Sequence, residues 1–131
     1  MGARVYGFGK DLSLPYEQAV ARLQERLREQ GFGVLWEMDV PAILKEKLGV
    51  EMAGRYTILG ACNPGLAHQA LEKETEIGLL LPCNVVVYEH QGATRVAAVD
   101  PNAALGIVDN PELDPIASQA ADRLRAAIDA V

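Results

Sequence analysis

Apolar positions recur along the chain with two different periods, and the places where the period changes mark its elements. Arg4 to Gly9 alternates around Val5, Tyr6 and Phe8, the pattern of a short strand. Tyr16, Val20, Leu23 and Leu27 then follow at spacings of four, three and four, with Gln18, Arg22, Glu25, Arg26 and Glu29 mainly off that stripe. The spacing predicts an amphipathic helix capped by Ser13, with Pro15 in its first turn and Gly31 as its stop. From Phe32 the period drops to two. Phe32, Val34, Trp36, Met38 and Val40 share one face of a strand, and Gly33, Leu35, Glu37 and Asp39 share the other. Pro41 ends it, and Ala42 to Leu48 reads as a short helix closed by Gly49.

Tyr56 to Ala61 is a third strand. Asn63-Pro64 is a cap followed by proline at the first helical position, with Leu66, Ala67, Ala70 and Leu71 on the buried side. Asn84 to His90, with Val85, Val86, Val87 and Tyr88, is strongly β. The Gln91-Gly92 turn returns it as Ala93 to Val99, a hairpin. Asp100-Pro101 breaks the strand and opens a loop containing Pro and Asn. Asp114-Pro115 then caps a last helix that turns Ala117, Ala120, Leu124, Ala127, Ile128 and Val131 inward. The order β-α-β-(short α)-β-α-β-β-α predicts a two-layer α+β fold in one domain, residues 1–131, since no linker or low-complexity run divides it.

Composition narrows the partners. Twelve Lys and Arg stand against eighteen Asp and Glu, a net charge of −6, so a general nucleic-acid or anionic-membrane surface has no electrostatic footprint. The longest apolar stretch, Ile77 to Cys83, is far short of a membrane span. Met1 to Lys10 has no apolar core of signal-peptide length, and two cysteines are too few for a disulfide framework. The expectation is a soluble cytoplasmic protein with reduced thiols.

The run Ile58-Leu59-Gly60-Ala61-Cys62-Asn63-Pro64, then Ala67 and Ala70-Leu71, then Gly78-Leu79-Leu80-Leu81-Pro82-Cys83-Asn84-Val85-Val86-Val87-Tyr88-Glu89, resembles the bacterial and archaeal family called domain of unknown function 302. Gly31-Phe32 and Asp39-Val40 fit the same pattern, so the resemblance spans essentially the whole chain. It implies a TBP-like fold, a curved antiparallel sheet with helices packed on one face. It implies no settled activity, and architectural likeness to TBP carries no DNA binding with it.

Candidate chemistry gathers at three places. Cys62 precedes a helix start, where the macrodipole lowers a thiol pKa, so it is a candidate reactive thiol or soft metal ligand; as a free Cys it is equally a small buried hydrophobe. Cys83, twenty-one positions later at a strand start, forms a dithiol or two-sulfur site with Cys62 only if the two strand ends meet. Cys62, Asn63 and Cys83 are therefore the candidate thiol or ligand site. Glu37 and Asp39, about 7 Å apart as an i, i+2 pair, can bind a hard cation or serve as acid and base, or simply form a solvated face. No metal site is assigned, because zinc needs four ligands at paired spacings and only His68 and His90 remain. Gly7-Phe8-Gly9-Lys10 lacks the phosphate-loop spacing, and no nucleophile elbow is present. Trp36 reads as core.

No catalytic constellation and no cofactor motif follow from this pattern. Two functions stay open. One is a homodimeric small-ligand-binding or scaffold module; the other is a thiol-dependent enzyme or redox or metal-binding protein using Cys62 and Cys83. The homodimer is expected because Val86, Tyr88, Ala97 and Val99 oppose Val85, Val87, Val96 and Ala98, leaving apolar residues on both sheet faces. A second copy of the chain, or the 101–111 connection folding across, would cover the outer one.

Overall fold

The computed structural model describes residues 5–131, so the start of the first strand at Arg4 lies outside the described residues. Five strands, β1 (Gly7–Leu12), β2 (Gly33–Asp39), β3 (Tyr56–Cys62), β4 (Cys83–His90) and β5 (Ala93–Val99), form one sheet. Their spatial order is β1-β5-β4-β3-β2 and every pairing is antiparallel. Consecutive strands β1 and β2 occupy opposite edges. Helix α1 (Tyr16–Glu29) must therefore cross the sheet to join them, and its stripe of Tyr16, Ala19, Leu23 and Leu27 is buried on the way.

Helix α1 ends in a Schellman arrangement. Gly31 takes φ +85°, its N–H donates to the Arg28 carbonyl and that of Phe32 to the Leu27 carbonyl, at 3.0 and 2.9 Å. Phe32 and Leu27 are both buried, the apolar contact that accompanies this motif. The start differs from expectation. Pro15, not Ser13, occupies the cap position, and no side chain caps α1.

Helix α5 (Asp114–Ala130) lies beside α1 and serves two clusters along its length. Its C-terminal half, with Leu124, Ala127 and Ile128, joins α1 against Leu59, Ala61, Val85, Val87, Val96 and Ala98 of the sheet. Its N-terminal half, with Ile116, Ala117 and Ala120, packs instead with helix α3 (Pro64–Lys73), a 3-10 turn at Thr75–Leu80, and helix α4 (Pro101–Gly106). The α4 segment was expected to be loop. Asp100 caps it by accepting the Asn102 N–H at 2.9 Å, Pro101 supplies the first helical position, and Leu105 is buried. Its packing on α5 removes the 101–111 connection as a cover for the sheet's outer face.

Helix α2 (Val40–Leu48) closes on Gly49 at φ +69°, as the sequence indicates. The strand before it carries an irregularity that alternation could not reveal. Val34 pairs with Ala61 but Trp36 with Gly60, so Leu35 is an extra residue in β2. The insertion moves everything after it to the opposite face. Trp36 and Met38 therefore leave the helix side, where Phe32 and Val34 stay, and stand on the outer face with Gly60 and Ile58. Trp36 is 39% exposed rather than core. Glu37 and Asp39 move the other way, into register with Leu59 and Thr57.

Candidate functional site

The strand ends meet. Cys83 lies opposite Ala61 in the β3–β4 ladder, which brings Cys62 and Cys83 to the same end of adjacent strands. Alternation nevertheless sends their side chains apart, Cys83 following Ala61 and Val85 to the helix side and Cys62 following Gly60. Both thiols are free and partly buried.

Their ionisation runs against the expected activation. Burial raises the Cys62 thiol above its ordinary value despite its place before α3. Burial first, then a Cys62 thiolate nearby, pushes Cys83 up to about 11. At the start of α3 the Gly65 N–H stays without an acceptor among the described residues, while the other early positions are accounted for. Pro64 has no N–H, Asn63 Oδ1 accepts the Leu66 N–H at 3.2 Å, and the Asn63 carbonyl accepts that of Ala67 at 2.9 Å. Asn63 is thus the cap that the sequence indicates.

Around these residues is a cavity of about 420 Å3. Cys62, Asn63, Cys83 and Asn84 contribute its polar groups. The rest of the wall is apolar: Trp36 and Phe32 near β2, Leu66 and Ala67 of α3, Leu79 to Pro82 of the connection, and Pro101, Ala104 and Leu105 of α4. No charged side chain lines it among the described residues. Sequence reasoning reached Cys62, Asn63 and Cys83 but missed Trp36, Asn84 and the α4 wall. The visible signal was Leu79, Leu80 and Leu81 in a row, of which Leu79 is 81% exposed at the rim.

The carboxylate pair lies elsewhere. Asp39 Oδ1 accepts the Ala42 N–H at 3.1 Å and caps α2, while Glu37 is exposed. Among the described residues, no three His, Cys, Asp or Glu side chains converge as metal ligands. A polar hollow near Asp39 collects Tyr16, Thr57, Arg55 and Glu89. Its charges are already engaged: Arg55 pairs with Glu17 at 3.4 Å and lies 4.1 Å from the Tyr16 ring centroid, and its backbone N–H donates to Glu89 Oε1 at 2.8 Å. Tyr16 is hydrogen-bonded with Thr57 Oγ1, and burial raises its pKa.

A family model, domain of unknown function DUF302, matches residues 8–131. The chain belongs to the DUF302 family. A solved structure, the uncharacterized conserved protein DUF302 from Bacillus stearothermophilus, is 34% identical and superposes with a TM-score of 0.90. The match covers 96% of this chain and 98% of that one, so the two DUF302 proteins share the α+β fold from end to end. No curated protein matches the chain. Among the described residues no helix is long and apolar enough to cross a membrane.

Proposed function

We propose that this DUF302 protein is a binding module that holds a small, mainly apolar molecule in the cavity beside Cys62, Asn63 and Cys83. One observation carries the reading. The cavity is of ligand size, apolar over most of its wall, and provided with a few polar groups at one end, the composition of small-molecule sites. Thiol-dependent catalysis fits less well, because both thiols are raised and no cation or base stands among the lining residues. Intact-complex mass spectrometry of the natively purified protein tests the reading. A co-purifying small molecule at one per chain is the expected result. A mass of protein alone, together with an activity abolished by alkylation, would favour the thiol enzyme.

We further propose that the protein is a homodimer joined through the outer sheet face. Trp36, Met38, Ile58, Val86, Tyr56 and Tyr88 stand there and belong to neither buried cluster. Tyr56 and Tyr88 stack at 5.2 Å, so this half of the face is a raised apolar ridge. The β5–β1 half carries Val99, Ala97, Gly9 and Gly7 instead, with the Arg95–Asp11 ion pair at one end. A Cβ at Gly9 would overlap the Val96 carbonyl and Ala97, so that half is held flat. A two-fold axis between the halves seats each ridge on its partner's shelf. Five strands about 4.8 Å apart, with about 3.3 Å per residue, give a face of roughly 500 Å2. Stacking two buries on the order of 1,000 Å2, the threshold for a specific interface.

A further inference from the structure

The cavity and the outer sheet face share residues. Trp36 and Asn84 both pair with Gly60, Cys62 is two positions beyond Gly60, and Val99 is two positions beyond Ala97, the partner of Val86. Alternation therefore puts Trp36, Cys62, Asn84 and Val99 on the outer side of four adjacent strands. All four also line the cavity, whereas Phe32, Ala61 and Cys83 line it from the helix side. The cavity thus passes around one end of the sheet and opens with a lip on the outer face. In a single chain that lip meets water: Trp36 is 39% exposed and Asn84 is exposed as well. The next row of the face, Met38, Ile58, Val86 and Ala97, is two residues further along each strand, about 7 Å away. That row is the middle of the surface proposed to receive a second copy. A two-fold axis that exchanges ridge and shelf runs along the strands, so every row faces the same row of the other chain. The two lips then lie against each other. A ligand that fills the cavity leaves apolar surface to water at the lip of one chain and has it covered in the pair.

We infer that the second copy of the chain is the lid of the cavity: dimerisation closes the lip, so ligand binding and dimerisation strengthen each other. This inference rests on both readings proposed above and adds a coupling that neither contains.

The test uses the apolar dye N-phenylnaphthylamine as probe. Its dissociation constant is read by fluorescence for the wild-type chain above and below the concentration at which it dimerises, and for Val86→Glu. The dimer is expected to bind dye about fivefold tighter than either monomer, which still keeps a saturable site; that factor is the low end of typical couplings. Reciprocity then requires saturating dye to tighten the dimer by the same factor once for each of its two sites, about 25-fold in sedimentation. Ala67→Phe, which fills the α3 wall, should dimerise as the wild type does and show no response to dye. Equal dye affinity in monomer and dimer, or a dimer weakened by dye, overturns the coupling and leaves both readings standing. A dimer that tightens with dye in Ala67→Phe as well also overturns it, because the dye then acts outside the cavity. A wild-type chain that is monomeric at every concentration overturns the dimer reading and this inference together. Absence of saturable dye binding overturns the cavity reading and this inference together.

Discussion

Asn63 caps α3 through Oδ1, and its Nδ2 lies against Gly31 at the end of α1. Removing the cap has a measurable consequence. Asn63→Ala should lower stability by about 1 kcal/mol in chemical denaturation, since an orphan N–H loses its acceptor. The two thiols differ in a way that labelling can read. Cys83 is held further from ionisation than Cys62, and the thiolate is the species that reacts. Timed iodoacetamide treatment of the native protein should modify Cys62 first; faster labelling of Cys83 would contradict this. The Cys83 shift also sets a pH dependence. A folded thiol that keeps its proton to a higher pH than the unfolded one stabilises the fold below the unfolded value and loses that contribution as pH rises. With an ordinary value of 9.0 and a folded value of about 11, stability should decline between those limits, and Cys83→Ala should decline less steeply across the same window. Cys62, Asn63 and Cys83 were legible because strand ends and helix starts are written in local sequence. The direction of the thiol shifts was not, because part of the surrounding wall comes from α4, which packs there from a distant position in the sequence.

Strand β2 shows where pattern reading meets its limit. An i, i+2 alternation assumes one residue per ladder step, and the extra residue at Leu35 violates that assumption without altering composition. Trp36 was thereby assigned to the wrong face, while Phe32 and Val34, before the insertion, were read correctly. The β4–β5 hairpin was legible in full, because Gln91 and Gly92 at φ 50° and 80° supply the left-handed pair that such a two-residue turn demands. Helix α4 was missed because it spans only six residues and begins Pro-Asn, a composition shared with loops. The β2 irregularity has its own consequence: the Trp36 indole lies over Gly60, at the position a Cβ would occupy. Gly60→Ala should displace the ring, seen as a shift in Trp36 fluorescence with little change in helix content by circular dichroism. An unchanged emission would mean the indole does not rest there in solution.

At the scale of the whole molecule, two surfaces divide the outer side of the protein. The sheet face, with its ridge and shelf, is the surface proposed to receive a second copy of the chain, whereas the cavity at the strand ends is concave and proposed to receive a small molecule. Sedimentation at micromolar concentration should show a dimer of the 14.1 kDa chain, and Val86→Glu, which places a charge at the centre of the face, should dissociate it. A wild-type monomer would contradict the dimer without touching the cavity. The cavity itself is tested most directly by titrating the protein with the neutral apolar dye N-phenylnaphthylamine, using Ala67→Phe to fill the α3 wall and Val86→Glu to alter the sheet face. One saturable site per chain is expected, lost in Ala67→Phe and retained in Val86→Glu, with both variants folded by circular dichroism. Binding that survives Ala67→Phe but disappears in Val86→Glu would contradict it.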